Sequence, residues 1–314
     1  MDTATTSRRT IVTSTERDAR RMKRPNVVAL GGGHGLAVAL RAVREYAGEI
    51  TAVVSVADDG GSSGRLRRDL GVAAPGDLRT CLVALANDGP WRAAFEHRFR
   101  SGELADHALG NLVIVGLAET LGDLTAALDE AGRLLGASGR VLPASLGPVS
   151  LTAQVGEARV VGQVAIAEAG AHARIHDVRL TPADAPVSPD ALTAIEQADQ
   201  IVLAPGSLYT SIVAVLVLRE LRAAVEASPA RVVQVANLAT EHETVGHDGT
   251  DHLLAVLEHG GRVDAFLFDP DHGLTVDADA VVASGIEPVA MPIARSDGRS
   301  HDEDQLAKAL SALL

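Results

Sequence analysis

Two adjacent carboxylates lead into a run of glycine and serine in Ser55-Val56-Ala57-Asp58-Asp59-Gly60-Gly61-Ser62-Ser63-Gly64-Arg65, at the end of an apolar stretch. Asp58 and Asp59 have the chemistry to take sugar hydroxyls or a divalent metal such as magnesium. The bare N–H groups from Gly60 to Gly64 form a concave donor surface that suits phosphate oxygens. Arg65, Arg67 and Arg68 follow at once. A second cluster, Gly31-Gly32-Gly33-His34-Gly35, closes the preceding apolar stretch, so two loops at the ends of successive strands point to one phosphorylated ligand.

Three later motifs extend the candidate site. In Pro75-Gly76-Asp77-Leu78-Arg79, Asp77 can cap a helix, but Arg79 near a helix start opposes the helix dipole and is better explained by a nearby anion. His107-Ala108-Leu109-Gly110-Asn111 opens an apolar helix with residues a purely packed helix would not choose, which points to close approach of another group. Pro205-Gly206-Ser207-Leu208-Tyr209-Thr210-Ser211 offers a second anion position at a helix start, with hydroxyls from Ser207, Tyr209, Thr210 and Ser211; Asn237 follows the next strand into the same crevice.

Each motif also has a structural explanation. Gly31-x-Gly33-x-Gly35 lacks the G-x-G-x-x-G spacing of dinucleotide sites, and a tight turn needs glycine for its dihedrals alone. Asp-Asp-Gly is a common strand ending. The position of Asp58-Asp59 after the second strand, where Rossmann-type folds place the acid that reads a ribose, favours a binding role.

The elements that must position these residues are legible from their periodicity. Asn26 to Leu30 and Ile50 to Val56 read as strands around a helix from Gly35 to Tyr46. A helical region spans Gly76 to Gly136. Between 139 and 182 the period drops to about two, through Leu151 to Val155, Val160 to Ile166 and Ile175 to Leu180, which predicts a small antiparallel β insert. Strands at Ile201 to Ala204, Arg231 to Leu238, Val263 to Phe268 and Pro288 to Ile293 then alternate with helices, the first from Ile212 to Val225. The expected fold is α/β and Rossmann-like, a mostly parallel sheet with helices on both faces, in a single domain over residues 25–314. Residues 1–24, basic and without periodicity, read as a disordered tail.

Composition narrows the function. The 314 residues carry a formal charge of −13, divided as +4 on the first 24 residues and −17 on the remainder, which argues against nucleic acid as a partner. Cys81 is the single cysteine, no apolar run reaches membrane-span length, and a cytoplasmic protein without membrane insertion is expected. The eleven histidines contain no His-Glu-x-x-His, and no Gly-x-Ser-x-Gly elbow or P-loop lysine is present, so zinc hydrolysis, serine hydrolysis and ordinary nucleotide hydrolysis are not indicated.

Together, Gly31 to Leu36, Val56 to Leu66, Pro75 to Arg79, His107 to Leu112 and Pro205 to Ser211 resemble the bacterial gluconeogenesis factor family, over about residues 25 to 294. The resemblance implies a Rossmann-like fold that binds a uridine-diphosphate sugar and tunes carbon flow into cell-wall precursors, and thereby cell shape. It implies no required cofactor, a regulatory protein partner and a homo-oligomer, and it adds Arg295 to the candidate ligand-binding residues. The chain departs from the pattern at His34, at Phe268-Asp269-Pro270 and between His242 and Thr250. The superfamily also holds the phospholactate transferases, which use magnesium held by aspartate, so a transferase is the enzymatic alternative to a sensor. The sensor is favoured because four Phe, two Tyr and one Trp offer little stacking surface for a flavin-like acceptor.

Overall fold

A computed structural model of the chain describes residues 24–314; the basic tail expected over residues 1–24 lies, except for Arg24, outside them. The chain begins with β1 (Asn26–Gly31), α1 (Gly33–Val43) and β2 (Glu49–Val54), a βαβ unit. Helices α2 (Gly61–Leu70), α3 (Gly76–Leu85), α4 (Pro90–Glu96), α5 (Leu109–Leu121) and α6 (Leu124–Leu135) follow before β3 (Arg140–Pro143). Next come β4 (Ser150–Val155), β5 (Ala158–Val161), α7 (Gln163–Gly170) and β6 (Ile175–Thr181), then α8 (Pro189–Glu196) and β7 (Gln200–Leu203). A π-turn (Leu208–Val213) runs into α9 (Ala214–Leu216), followed by α10 (Arg219–Ala227) and β8 (Arg231–Val235). The chain closes with α11 (Gly249–Glu258), β9 (Ala265–Phe268), α12 (Ala278–Ala283), β10 (Glu287–Ala290) and α13 (Glu303–Ser311).

Seven strands form one parallel sheet in the order β10-β9-β8-β7-β1-β2-β3. The central strands read as nearly unbroken apolar runs because helices cover both faces: Val27 to Leu30 and Ile201 to Leu203 are almost wholly buried. Helix α1 buries Leu36, Ala37, Leu40 and Val43 along one stripe. From β1 the chain builds outward to β2 and β3 on one side, then returns to add β7, β8, β9 and β10 on the other. The carboxyl ends of β1 and β7 therefore flank a topological switch point, where a crevice opens in sheets of this type. The Gly31 to Gly35 and Pro205 to Ser211 segments leave the sheet at those two ends. Among the described residues no helix is long and apolar enough to cross a membrane.

Four expected elements differ. Gly61 to Leu70 is a helix whose first turn contains the glycine and serine run, where a free loop was expected; only Leu66 and Leu70 are apolar in it, too few to reveal a helical period. The antiparallel sheet has the order β5-β4-β6 and spans 150–181, because Arg140–Pro143 joins the parallel sheet beside β2; four residues are too few to show pairing direction from pattern. The strand expected from Val160 to Ile166 ends at Val161 and gives way to α7. The helix expected from Ile212 to Val225 is divided: the Ser207 carbonyl accepts from both Ser211 N–H and Ile212 N–H at 3.1 and 3.2 Å, which widens the first turn, and a new helix starts after Leu218.

The two loops at the switch point touch through bare backbone. A Cβ placed on Gly35 would collide with the Pro205 carbonyl, which belongs to the backbone and cannot swing aside. Gly116, in the middle of α5, has nothing within 4 Å of the same position. Gly35→Ala should destabilise the protein by about 1–3 kcal/mol, the usual cost of forcing atoms into a packed contact. Gly116→Ala should stabilise it by up to about 1 kcal/mol through helix propensity. Urea denaturation of the two variants checks the opposite signs.

Candidate functional site

The floor of the crevice is the first turn of α1, where Gly32 precedes the helix and Gly33 adopts φ 61°, a conformation that disfavours side chains. Asp77, at the start of α3, lies against this floor: a Cβ on Gly32 would stand 2.6 Å from Asp77 Oδ2 and 3.1 Å from Ser211 Oγ. Asp58 closes an Asx turn by accepting the Gly60 N–H at 2.9 Å, and its other oxygen is directed at Gly76, beside Ser63. Residues from β1, β2, α2, α3 and the π-turn thus meet within one small volume.

Electrostatics at this point are unusual for an acidic protein. Burial pushes the Asp77 carboxyl up to about 6, and neighbouring Asp58 adds to the rise, while the Gly33 amide and Arg79 oppose it. Arg79 is itself held below its ordinary value by burial and by Arg98. It donates from Nε to Asn111 Oδ1 at 3.0 Å and from a terminal nitrogen to Thr80 Oγ1 at 3.1 Å. Asn111 in turn donates to Ser62 Oγ at 3.1 Å, and Ser62 lies 3.0 Å from His107 Nδ1. This relay of buried polar groups fixes the guanidinium, which has no ion pair among the described residues. Gly110 is required for it, since a Cβ there would press on the Arg79 stem and on Phe95.

Several predicted residues are placed elsewhere. Asp59 turns away from Asp58 and accepts the N–H groups of Gln163 and Val164 at 3.1 and 3.0 Å, capping α7. Arg65 donates to the Ala105 carbonyl at 2.8 Å, so it braces the segment before α5, with its Nε buried and unpartnered. His34 is exposed on α1. The expected anion position at Pro205 to Ser211 already holds a carboxylate: Glu243 Oε1 accepts Tyr209 N–H at 2.8 Å and Thr210 N–H at 3.4 Å. Tyr209 points inward, its hydroxyl 3.2 Å from His247 Nε2, and is not available to a ligand. Ser207 donates to Glu241 Oε2 at 2.6 Å. Asn237 clamps Gly206 in both directions at 2.8 Å, leaving the loop rigid.

Beside this clamp a hollow of about 170 Å³ is lined by Gly35, Gly206, Asn237, Leu238, Arg299 and His301. Arg299 lines it, whereas Arg295 reaches back to the His301 carbonyl at 3.4 Å and toward Glu303 at 4.0 Å. Asp269, in the atypical Phe268-Asp269-Pro270, accepts the amides of Asp271, His272, Ile293 and Ala294 and ties the ends of β9 and β10 together. A larger hollow of about 780 Å³ lies between β6 and the ends of α9 and α11 and contains none of the predicted site residues. Glu243, Gln163 and Arg299 had no motif to mark them; each is brought to the crevice by packing.

Asp58 lies near enough to Asp77 to raise its pKa, and these are the two carboxylates brought together here. Among the described residues no third His, Cys, Asp or Glu joins them in a cluster. A fixed guanidinium and two carboxylates gathered at a sheet switch point mark the candidate site of a Rossmann-like α/β protein.

Comparison with known proteins agrees with that class. The family model described as 2-phospho-L-lactate transferase CofD matches residues 27–307. The putative gluconeogenesis factor of Mycobacterium leprae is 41% identical over 92% of this chain and 86% of the relative. The gluconeogenesis factor of Bacillus subtilis is 36% identical over 93% and 99%, respectively. A crystal structure described as a UPF0052-family protein from Bacillus halodurans superposes with TM-score 0.87 at 36% identity, covering 92% of this chain and 99% of that one. The chain belongs to the gluconeogenesis factor family, within the superfamily that also holds the phospholactate transferases.

Burial raises the Glu243 carboxyl to about 7 against the opposing Thr210 and Tyr209 hydrogen bonds. Between about pH 4.3, where a free glutamate titrates, and about pH 7, the folded state keeps a proton the unfolded chain has lost. Stability should therefore fall as pH rises through that window, and the fall should shrink in Glu243→Gln. Denaturation midpoints of both proteins from pH 4.5 to 8 measure the difference.

Proposed function

We propose that this protein binds a uridine-diphosphate sugar at the switch-point crevice and acts as a cytoplasmic regulator that links carbon metabolism to cell-wall precursor supply and cell shape. The observation that carries the reading is Arg79: a desolvated guanidinium without an ion pair among the described residues, anchored by Asn111 and within electrostatic reach of Asp77. An arginine in that state gains most from a charge-assisted hydrogen bond to phosphate. The family assignment supports the same ligand class. The hollow beside Asn237, with Arg299 and His301 on its wall, is a suitable place for the base.

Sensing is preferred to turnover because the crevice presents no nucleophile paired with a general base. Ser62 has a histidine beside it, yet the same oxygen accepts from Asn111 and sits buried in the relay that holds Arg79. The transferase reading retains one favourable observation, the Asp58–Asp77 pair, which suits magnesium. When bound, that ion would neutralise phosphate charge; Asp58 and Asp77 would hold it, and Arg79 would orient the anion. A regulatory protein partner and a homo-oligomer belong to the same proposal.

Calorimetry with uridine-diphosphate N-acetylglucosamine tests the site. Arg79→Ala should weaken binding roughly 10-fold to 100-fold, the value of a charge-assisted hydrogen bond of about 1.5–3 kcal/mol. Arg65→Ala, whose guanidinium is engaged with Ala105, should change it far less. Unchanged affinity in folded Arg79→Ala would remove the crevice as the binding site.

Incubation of the protein with magnesium and an excess of the same ligand distinguishes the two readings of chemistry. A sensor returns the nucleotide sugar intact after many hours. Repeated release of free nucleotide from an activated donor, abolished in Asp58→Asn, would establish the transferase instead.

A further inference from the structure

The crevice has two chemically different ends. At one, Asp77 takes the Gly33 amide of α1, and the Arg79 guanidinium, without an ion pair among the described residues, invites an anion. At the other, the donors of two helix starts are already taken by the protein's own carboxylates: Asp59 occupies the first amides of α7, and Glu243 occupies the first amides of the π-turn. A second phosphate there would lie against the Asp59 carboxylate that already holds the Gln163 and Val164 amides. Between these two caps lie neutral groups, the Gln163 carboxamide and the Thr210 hydroxyl.

Gln163 spans these two carboxylate-capped starts. Its backbone N–H is fixed by Asp59 Oδ2, and its side-chain Nε2 makes a long 3.5 Å contact with Thr210 Oγ1. Its carboxamide oxygen makes no hydrogen bond among the described residues. The approach is close enough to need glycine at 162, where φ is 102° and a Cβ would stand 2.5 Å from Asp59 Oδ2. Val164 also lies over the first loop, since a Cβ on Gly60 would meet its Cγ2 at 3.2 Å. The first turn of α7, supplied by the antiparallel insert, therefore closes the crevice over the gap between Gly60 and Thr210.

We propose that Gln163 recognises the neutral, hydroxyl-bearing sugar of the ligand, with the diphosphate lying toward Arg79. A primary carboxamide offers one acceptor and two donors, a match for vicinal hydroxyls or an acetamido group. The long contact to Thr210 is weak enough to be exchanged for a ligand hydroxyl. This assignment rests on the nucleotide-sugar reading above, and it makes the insert a specificity element that no sequence motif marked.

Calorimetry on the full chain, with uridine diphosphate and uridine-diphosphate N-acetylglucosamine titrated separately, tests it. Wild type should prefer the sugar-bearing ligand. Gln163→Ala should bind that ligand about threefold to tenfold more weakly, as expected for one neutral hydrogen bond, with affinity for uridine diphosphate unchanged. Gln163→Met, which keeps the length and the helix, should behave in the same way. Equal losses for both ligands would show a structural role and overturn the proposal, as would unchanged affinities in both variants or a wild type that does not distinguish the two ligands. A wild type that binds neither overturns the nucleotide-sugar reading itself, and the Gln163 assignment with it.

Discussion

The close approach of Gly35 to the Pro205 carbonyl is the contact on which the carboxyl edge of the sheet depends. No side chain takes part in it. The strands β1 and β7 are neighbours in the sheet but lie some 170 residues apart in the chain, and beyond their last ladder bond, Ala204 N–H to the Leu30 carbonyl, this contact holds the departing loops together. Asn237 reinforces it by binding both the N–H and the carbonyl of Gly206, and Asp77 fills the space that a side chain on Gly32 would occupy. The helix amides of α1, the Ser211 hydroxyl and the Asp77 carboxylate converge because the backbones meet so closely.

The division of labour among carboxylates follows from an acidic body built around helix starts. An open helix start attracts any anion, and the folded chain satisfies two of them internally with Asp59 and Glu243. Glu243 is buried, and the cost of burying its charge raises its pKa toward neutrality. At the α1 start, Asp77 accepts the Gly33 amide, and neighbouring Asp58 raises its pKa further.

Membership in the gluconeogenesis factor family places the chain beside transferases that share its fold. Here the serine nearest a histidine is committed to holding Asn111 and, through it, Arg79. The antiparallel insert is joined through α7 to the loop after β2 at Asp59 and to the π-turn at Thr210.

Much of this architecture was legible in the residues themselves. Apolar runs of strand length alternating with amphipathic helices specify a buried parallel sheet, because both faces of each central strand must be covered. Glycine clusters at the ends of such strands mark the edge where ligands bind, and the joint spacing of five motifs identifies the family. Direction was not legible. Asp58 and Asp59 are identical in type and adjacent, yet one faces the crevice and the other caps a helix more than 100 residues away. Tyr209 stands in the most specific motif of the chain and still turns into the core, while Glu243 and Gln163, which carry no motif, reach the site. Local pattern determines which segments become strand, helix or turn, since those periods are written in neighbouring residues. Where a polar side chain points is decided by which unpaired donor or acceptor the packed tertiary structure brings to it from far along the chain.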